Sequence, residues 1–208
     1  MQTIQTIVKN SLTKREAMRK VIHLLLVFTI PISIYLPLQL VVAIGCAVCI
    51  AYLAAEYFRV KGRYVPVITD VTDHCGRDHE LKGWVLTPFY LALSITALLA
   101  ISGGFVNFIS RSAAYVSIVA ATLGDASAAL VGMRFGRHRH WLLRGKSVEG
   151  SLAFFVATFA GSLFFVNWQI AIAVAAISAI VEVFSGGFDN LTVPFSAAIV
   201  ANYLISVV

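Results

Sequence analysis

The sequence predicts an all-α fold: a polytopic transmembrane helix bundle of about seven helices, a single domain over 1–208, with its N-terminus in the cytoplasm. Three observations predict it. Of the 208 residues, 59% are apolar and only 12% charged, against roughly 45–50% and about 25% in soluble domains. Seven stretches approach the roughly 20 apolar residues that a spanning helix needs. Threading those seven through a bilayer leaves 15 of the 16 Lys and Arg on one side. Helices are expected because an open sheet would leave backbone groups unpaired in hydrocarbon, and barrel-like alternation is absent.

The elements follow in order. A basic head, 1–20, carries Lys9, Lys14, Arg15, Arg19 and Lys20. The first apolar stretch, 21–38, contains His23, Pro31 and Pro37 and no clear small-residue cleavage site, so it reads as a retained anchor. The second, 39–58, holds Cys46-x-x-Cys49, which inside a membrane helix reads as packing and not as redox chemistry. The longest polar connection, 59–84, carries Arg59, Lys61, Arg63, Arg77 and Lys82. Stretches at 85–102 and 112–133 follow, with Arg111 the one basic residue on the far side. A basic loop, 134–150, then leads to stretches at 151–167, 169–185 and 193–208.

The positive-inside rule puts the head, 59–84 and 134–150 in the cytoplasm. Topogenesis and anionic headgroups account for much of the net charge of +6. No soluble basic face exists for nucleic acid. Five basic residues within 134–146 nevertheless exceed what topology requires.

The ten acids cluster on the same side, except Asp125 within the fourth stretch and Glu182 near the end of the sixth. A carboxylate at such depth costs a few kcal/mol unless paired or metal-bound, which marks both as functional candidates. The fourth stretch reads Ala120-x3-Gly124-x3-Ala128-x3-Gly132-x3-Gly136, a smooth stripe on which another helix can pack closely. Asp125 beside it is expected to be buried between helices. Arg134-Phe135-Gly136-Arg137-His138-Arg139 and Gly145-Lys146-Ser147-Val148-Glu149-Gly150-Ser151 follow. A basic loop joined to a glycine-flanked Lys-Ser before a helix suits a polyphosphate. A P-loop is excluded, since the earlier glycine and the preceding strand are missing. Carboxylates beside such a cradle call for Mg²⁺, with Asp125, Glu149 and Asp189 as expected ligands and Glu182 behind them.

These residues resemble a known family. Gly124-Asp125-x2-Ala128-x3-Gly132-x-Arg134-Phe135-Gly136 with Gly145-Lys146-Ser147-x-Glu149-Gly150-Ser151 is similar to the CTP-dependent lipid kinases: the dolichol, phytol and yeast-type diacylglycerol kinases. Arg19-Lys20-x2-His23, Glu56 with Arg59, Arg77 with Glu80 and Gly83, and Asp189-Asn190-x3-Pro194 look like the family's outlying elements. Phosphatidate cytidylyltransferase shares the core pattern. Its Gly-His-Gly-Gly and Asp-Arg signature is missing here, where Ser185-Gly186-Gly187-Phe188-Asp189-Asn190 stands instead.

The resemblance implies transfer of a phosphoryl group from CTP to the hydroxyl of a long-chain lipid alcohol, at a site facing the cytoplasm. It further implies Mg²⁺ on Asp125, Glu149 and Asp189. Lys20, Arg134, Gly136, Arg137, Lys146, Ser147 and Gly150 would contact the nucleotide, and His23, Glu182 or Asp189 would take the hydroxyl proton. A cation-coupled transporter is the alternative of another class, since Asp125 and Glu182 are intramembrane acids. Against it, the chain has no matching halves and its charge gathers at one face. Oligomeric state and the choice among lipid alcohols leave no sequence signal.

Overall fold

The computed structural model describes residues 15–66, 68–75, 83–139 and 146–207, and these contain helices and no named strand. The helices are α1 (Arg15–Tyr35), α2 (Leu38–Val60), α3 (Ile68–Cys75), α4 (Thr87–Ile101), α5 (Arg111–Phe135), α6 (Val148–Ser162), α7 (Trp168–Phe184) and α8 (Asp189–Val207). All seven expected stretches are helical. Among the described residues, four helices are long and apolar enough to cross a membrane: α1, α2, α5, and α8 with the 3₁₀ turn Gly186–Phe188 before it. The other three apolar helices are shorter, at 15, 15 and 17 residues for α4, α6 and α7. At 1.5 Å per residue they span only about 22–26 Å, so the residues flanking them, such as Val85 and Ser147, are packed into the bundle. The 59–84 connection, expected to be wholly polar loop, contains the short helix α3.

Local chemistry sets the boundaries. Leu36 is extended (φ −103°, ψ 153°) because Pro37 disfavours helical geometry in the residue before it, and α2 starts immediately after that proline. Within α1 the turn Leu26–Phe28 is 3₁₀. Pro31 lies four residues beyond Val27 in that turn, where an α-helical carbonyl would meet its ring. The chain is already helical at Arg15, ahead of the expected stretch, which brings Arg19, Lys20 and His23 into one helix.

The central helix is α5, buried along most of its length. Its packing against α6 is the most extensive in the bundle, and the small-residue stripe makes it possible. A Cβ on Gly150 would stand 2.8 Å from the carbonyl oxygen of Ala128, and one on Gly124 would collide with the Thr158 hydroxyl. One apolar cluster joins α1, α2, α4 and α5, and another joins α5 through α8. Cys46 and Cys49 are both free, the first exposed and the second buried.

Two polar clamps fix the helix ends near the site. Glu56 has no exposed surface. It accepts from Arg59 at 2.6 and 2.8 Å and from the Val85 amide at 2.6 Å, while Arg59 Nη2 donates to Gly83 O at 2.6 Å. The end of α2 is thereby tied to the segment leading into α4. Asn190 donates to Thr87 O at 2.9 Å and its carbonyl accepts from Ser94 at 2.8 Å, which fastens α8 to α4 and sets Asp189 at the rim of the bundle. Arg77, Glu80 and Lys82 lie outside the described residues.

Candidate functional site

The site forms where α1, α6 and α8 begin and α5 and α7 end. Positions 19, 20 and 23 share one side of α1 by helical spacing, and that side is turned inward: Arg19, Lys20 and His23 are only 5%, 3% and 3% exposed. Across from them, α5 makes a π-helical turn at Ala120–Gly124, and the α-helix resumes at Asp125. Such turns carry one extra residue and re-aim the side chains that follow. Asp125 is buried and pairs with the Lys20 ammonium, while His23 Nδ1 lies 2.9 Å from the same Oδ2. A buried carboxylate has to be paired, and here the Lys20 ammonium from α1 pairs with it.

The chain that starts α6 supplies the opposite wall. Ser147 caps the helix, its hydroxyl accepting from the Gly150 amide at 3.1 Å. Lys146, just before the cap, donates to the carboxylate of Glu182 and to the Glu182 carbonyl oxygen, the latter at 2.5 Å. The last turn of α7 is thus pinned to the first residues of α6.

Glu149 departs from expectation. Its carboxylate bonds His138 Nδ1 at 2.7 Å and accepts from the amides of Arg137 (3.2 Å) and His138 (3.1 Å). A hydrogen bond from its own backbone amide, and then the His138 imidazole, hold its pKa down at about 2. Val148 N donates back to His138 O at 3.0 Å. Glu149 therefore staples the 137–138 segment to the α6 N-terminus instead of joining Asp125 and Asp189. The helix start and the adjacent amides capture it.

One cavity of about 350 Å³ gathers the remaining residues. Four basic side chains line it (Arg19, Lys20, Arg139, Lys146) against four acidic ones (Glu16, Asp125, Glu182, Asp189), with Ser147 and Gly150 between. Of the expected residues, Lys20, Asp125, Lys146, Ser147, Gly150, Glu182 and Asp189 are brought together. His23 stands behind Asp125. Arg134, Gly136 and Arg137 do not line the cavity: Arg134 lies over the Phe135 ring, and Gly136 packs on Ser147. Gly145 and Arg144 lie outside the described residues. Sequence reasoning gave Glu16 no site role, and read Arg19 only as part of a motif and Arg139 only as part of the basic loop.

The fit to a metal differs from the expected trio. Among the described residues no group of three or more His, Cys, Asp and Glu could hold an ion. Mg²⁺ is usually bound through one or two carboxylates plus substrate phosphates and waters, not through an all-protein cage. Asp125 and Asp189 on one cavity, with the buried Glu182 Oε2 lacking a partner among the described residues, fit that pattern. The Asp125–Glu149–Asp189 set does not.

The chain is 32% identical over 210 residues to a phytol kinase of Synechocystis sp., covering 96% of this chain and 84% of that protein. It is 29% identical over 202 residues to an uncharacterized protein of Methanocaldococcus jannaschii, covering 93% and 96% respectively. No protein-family model matches the chain, and no solved structure matches it.

Proposed function

The chain belongs to the phytol kinase family of lipid kinases, and from that membership we propose that it transfers the γ-phosphoryl group of CTP to the hydroxyl of a long-chain membrane alcohol at the cytoplasmic surface. The alcohol is dolichol or another polyprenol, phytol or geranylgeraniol, or diacylglycerol. The observation that carries this reading is the single cavity in which Lys146, Ser147 and the α6 N-terminus face Lys20–Asp125 and Glu182. Cations and free helix amides suit phosphates, and the carboxylates suit the ion that accompanies them.

Phosphoryl transfer is chiefly positioning and charge neutralisation. The hydroxyl oxygen attacks the γ-phosphorus, the bond to the β-phosphate oxygen breaks, and CDP leaves. Lys146 and Lys20 each exchange a carboxylate for phosphate oxygens as the nucleotide enters. Asp125 and Asp189 are the residues that would hold a Mg²⁺ arriving with the triphosphate, and such an ion supplies neutralisation of phosphate charge. His23, 2.9 Å from Asp125 and outside the cavity lining, orients that carboxylate. Glu182 lines the cavity with Oε1 held by Lys146 and Oε2 without a partner among the described residues, which suits it to accept the hydroxyl proton. An apolar crevice of about 170 Å³, lined by Leu26 and Thr29 of α1 among others, lies farther along that helix and suits a tail left in the bilayer.

The test is product formation. Purified protein with CTP and a panel of lipid alcohols should yield a lipid monophosphate by mass spectrometry. Proton-driven uptake without any phosphorylated lipid would replace this reading with transport.

A further inference from the structure

We propose that Arg19 binds phosphate oxygens in the cavity, so that an arginine from α1 grips the anion where Arg134 and Arg137 do not line it. The anion's identity as a nucleotide triphosphate rests on the kinase reading; the existence of an anion site does not.

Arg19 is 5% exposed and lines the cavity. One nitrogen, Nη2, donates to Glu16 Oε1 at 2.6 Å. The other two, Nε and Nη1, are buried and have no partner among the described residues. The contrast with Arg59 is direct. That arginine makes two bonds to Glu56 and a third to Gly83 O, as a structural guanidinium should. Arg19 instead leaves most of its donors unused beside an open volume.

A guanidinium stays protonated in proteins, so it cannot relieve burial by losing its charge. Unsatisfied donors on a buried cation are costly, and an occupant with paired oxygens removes the cost. Phosphate matches the planar fork of arginine better than a single carboxylate oxygen does. The neighbouring ammonium groups of Lys20 and Lys146 are engaged by Asp125 and Glu182. Arg19 therefore needs no exchange of partners before it meets the anion, and it is the first cationic contact on the α1 side.

The role has a signature that a structural arginine would not show. Arg19→Met and Arg19→Lys proteins are purified in detergent, and melting and affinity are measured with Mg·CTP, tripolyphosphate and geranylgeranyl monophosphate. Wild type is expected to be stabilised by both Mg·CTP and tripolyphosphate. Arg19→Met should melt at or above the wild-type temperature with no ligand added, because the buried guanidinium donors that lack partners are gone. Its affinity for both polyphosphates should fall by about tenfold or more, and Arg19→Lys should recover part of it. If Arg19→Met melts several degrees lower yet its affinity stays within about twofold, the arginine is structural and the proposal falls. Should Arg19→Met fail to fold, an unchanged affinity in Arg19→Lys overturns it equally. A wild type that answers to tripolyphosphate through Arg19 but not to Mg·CTP upholds the anion site while sinking the nucleotide reading. Response to geranylgeranyl monophosphate alone, or to none of the three, overturns the assignment to a polyphosphate.

Discussion

Lys20 and Asp125 are 105 positions apart in the chain and form a buried ion pair between α1 and the central helix α5. The pair lines the inner part of the cavity, and His23 Nδ1 lies 2.9 Å from the same carboxylate, one turn farther along α1. Its position makes it both a structural joint and a candidate ligand set, and variants separate those two roles.

Asp125→Asn should lower turnover by at least about a hundredfold, the scale on which a lost transition-state electrostatic contact acts. It also leaves the Lys20 ammonium buried without its carboxylate, at a cost of about 3–5 kcal/mol. Lys20→Met combined with Asp125→Asn should regain much of the melting temperature and none of the activity. Recovery of turnover in the double variant would reduce Asp125 to a structural acid.

Lys146→Met removes the partner of Glu182 and a proposed phosphate contact together. The Michaelis constant for CTP should rise about tenfold or more, whereas Glu182→Gln should lower kcat with little change in that constant. Steady-state kinetics on the two variants checks the split. Equal effects on both parameters in both variants would contradict separate roles.

Glu149 supplies a pH signature. Its pKa is depressed from 4.5 to about 2, so its contribution to stability is complete above pH 4.5 and is lost as pH falls through 2. The staple between α6 and His138 should therefore stay intact from pH 5 to 8. Glu149→Gln at pH 7 should release that segment, read as faster tryptic cleavage after Arg137 and Arg139. An unchanged cleavage rate would remove the staple.

Gly150→Ala tests the contact on which the cavity wall depends. The added methyl would sit 2.8 Å from the Ala128 carbonyl oxygen, a backbone atom that cannot rotate away. Destabilisation of about 1–3 kcal/mol is expected, measured as a lower melting temperature in detergent.

Much of this was legible in the amino-acid order. Apolar stretches and the 4-residue small stripe are repeated patterns, so the helices, a close helix contact along α5 and the burial of Asp125 follow from period alone, while the identity of α6 as the partner does not. Arg19, Lys20 and His23 fall on one helical side by the same arithmetic. What was not legible depends on local competition. Glu149 sits within reach of both a metal site and the amides of Arg137 and His138, and spacing does not say which attracts it more. The π turn at 120–124 has no residue signature and changes where Asp125 points. Arg134 and Arg137 are as basic as Arg139, yet only the direction of the chain after α5 decides that Arg139 reaches the cavity.

The position of the transferred label tests the central claim most directly. Purified protein is incubated with lipid alcohols and CTP labelled at either the γ- or the α-phosphorus. The kinase account predicts γ label in the lipid and release of CDP. Label from the α-phosphorus in the lipid, with release of pyrophosphate, would contradict it.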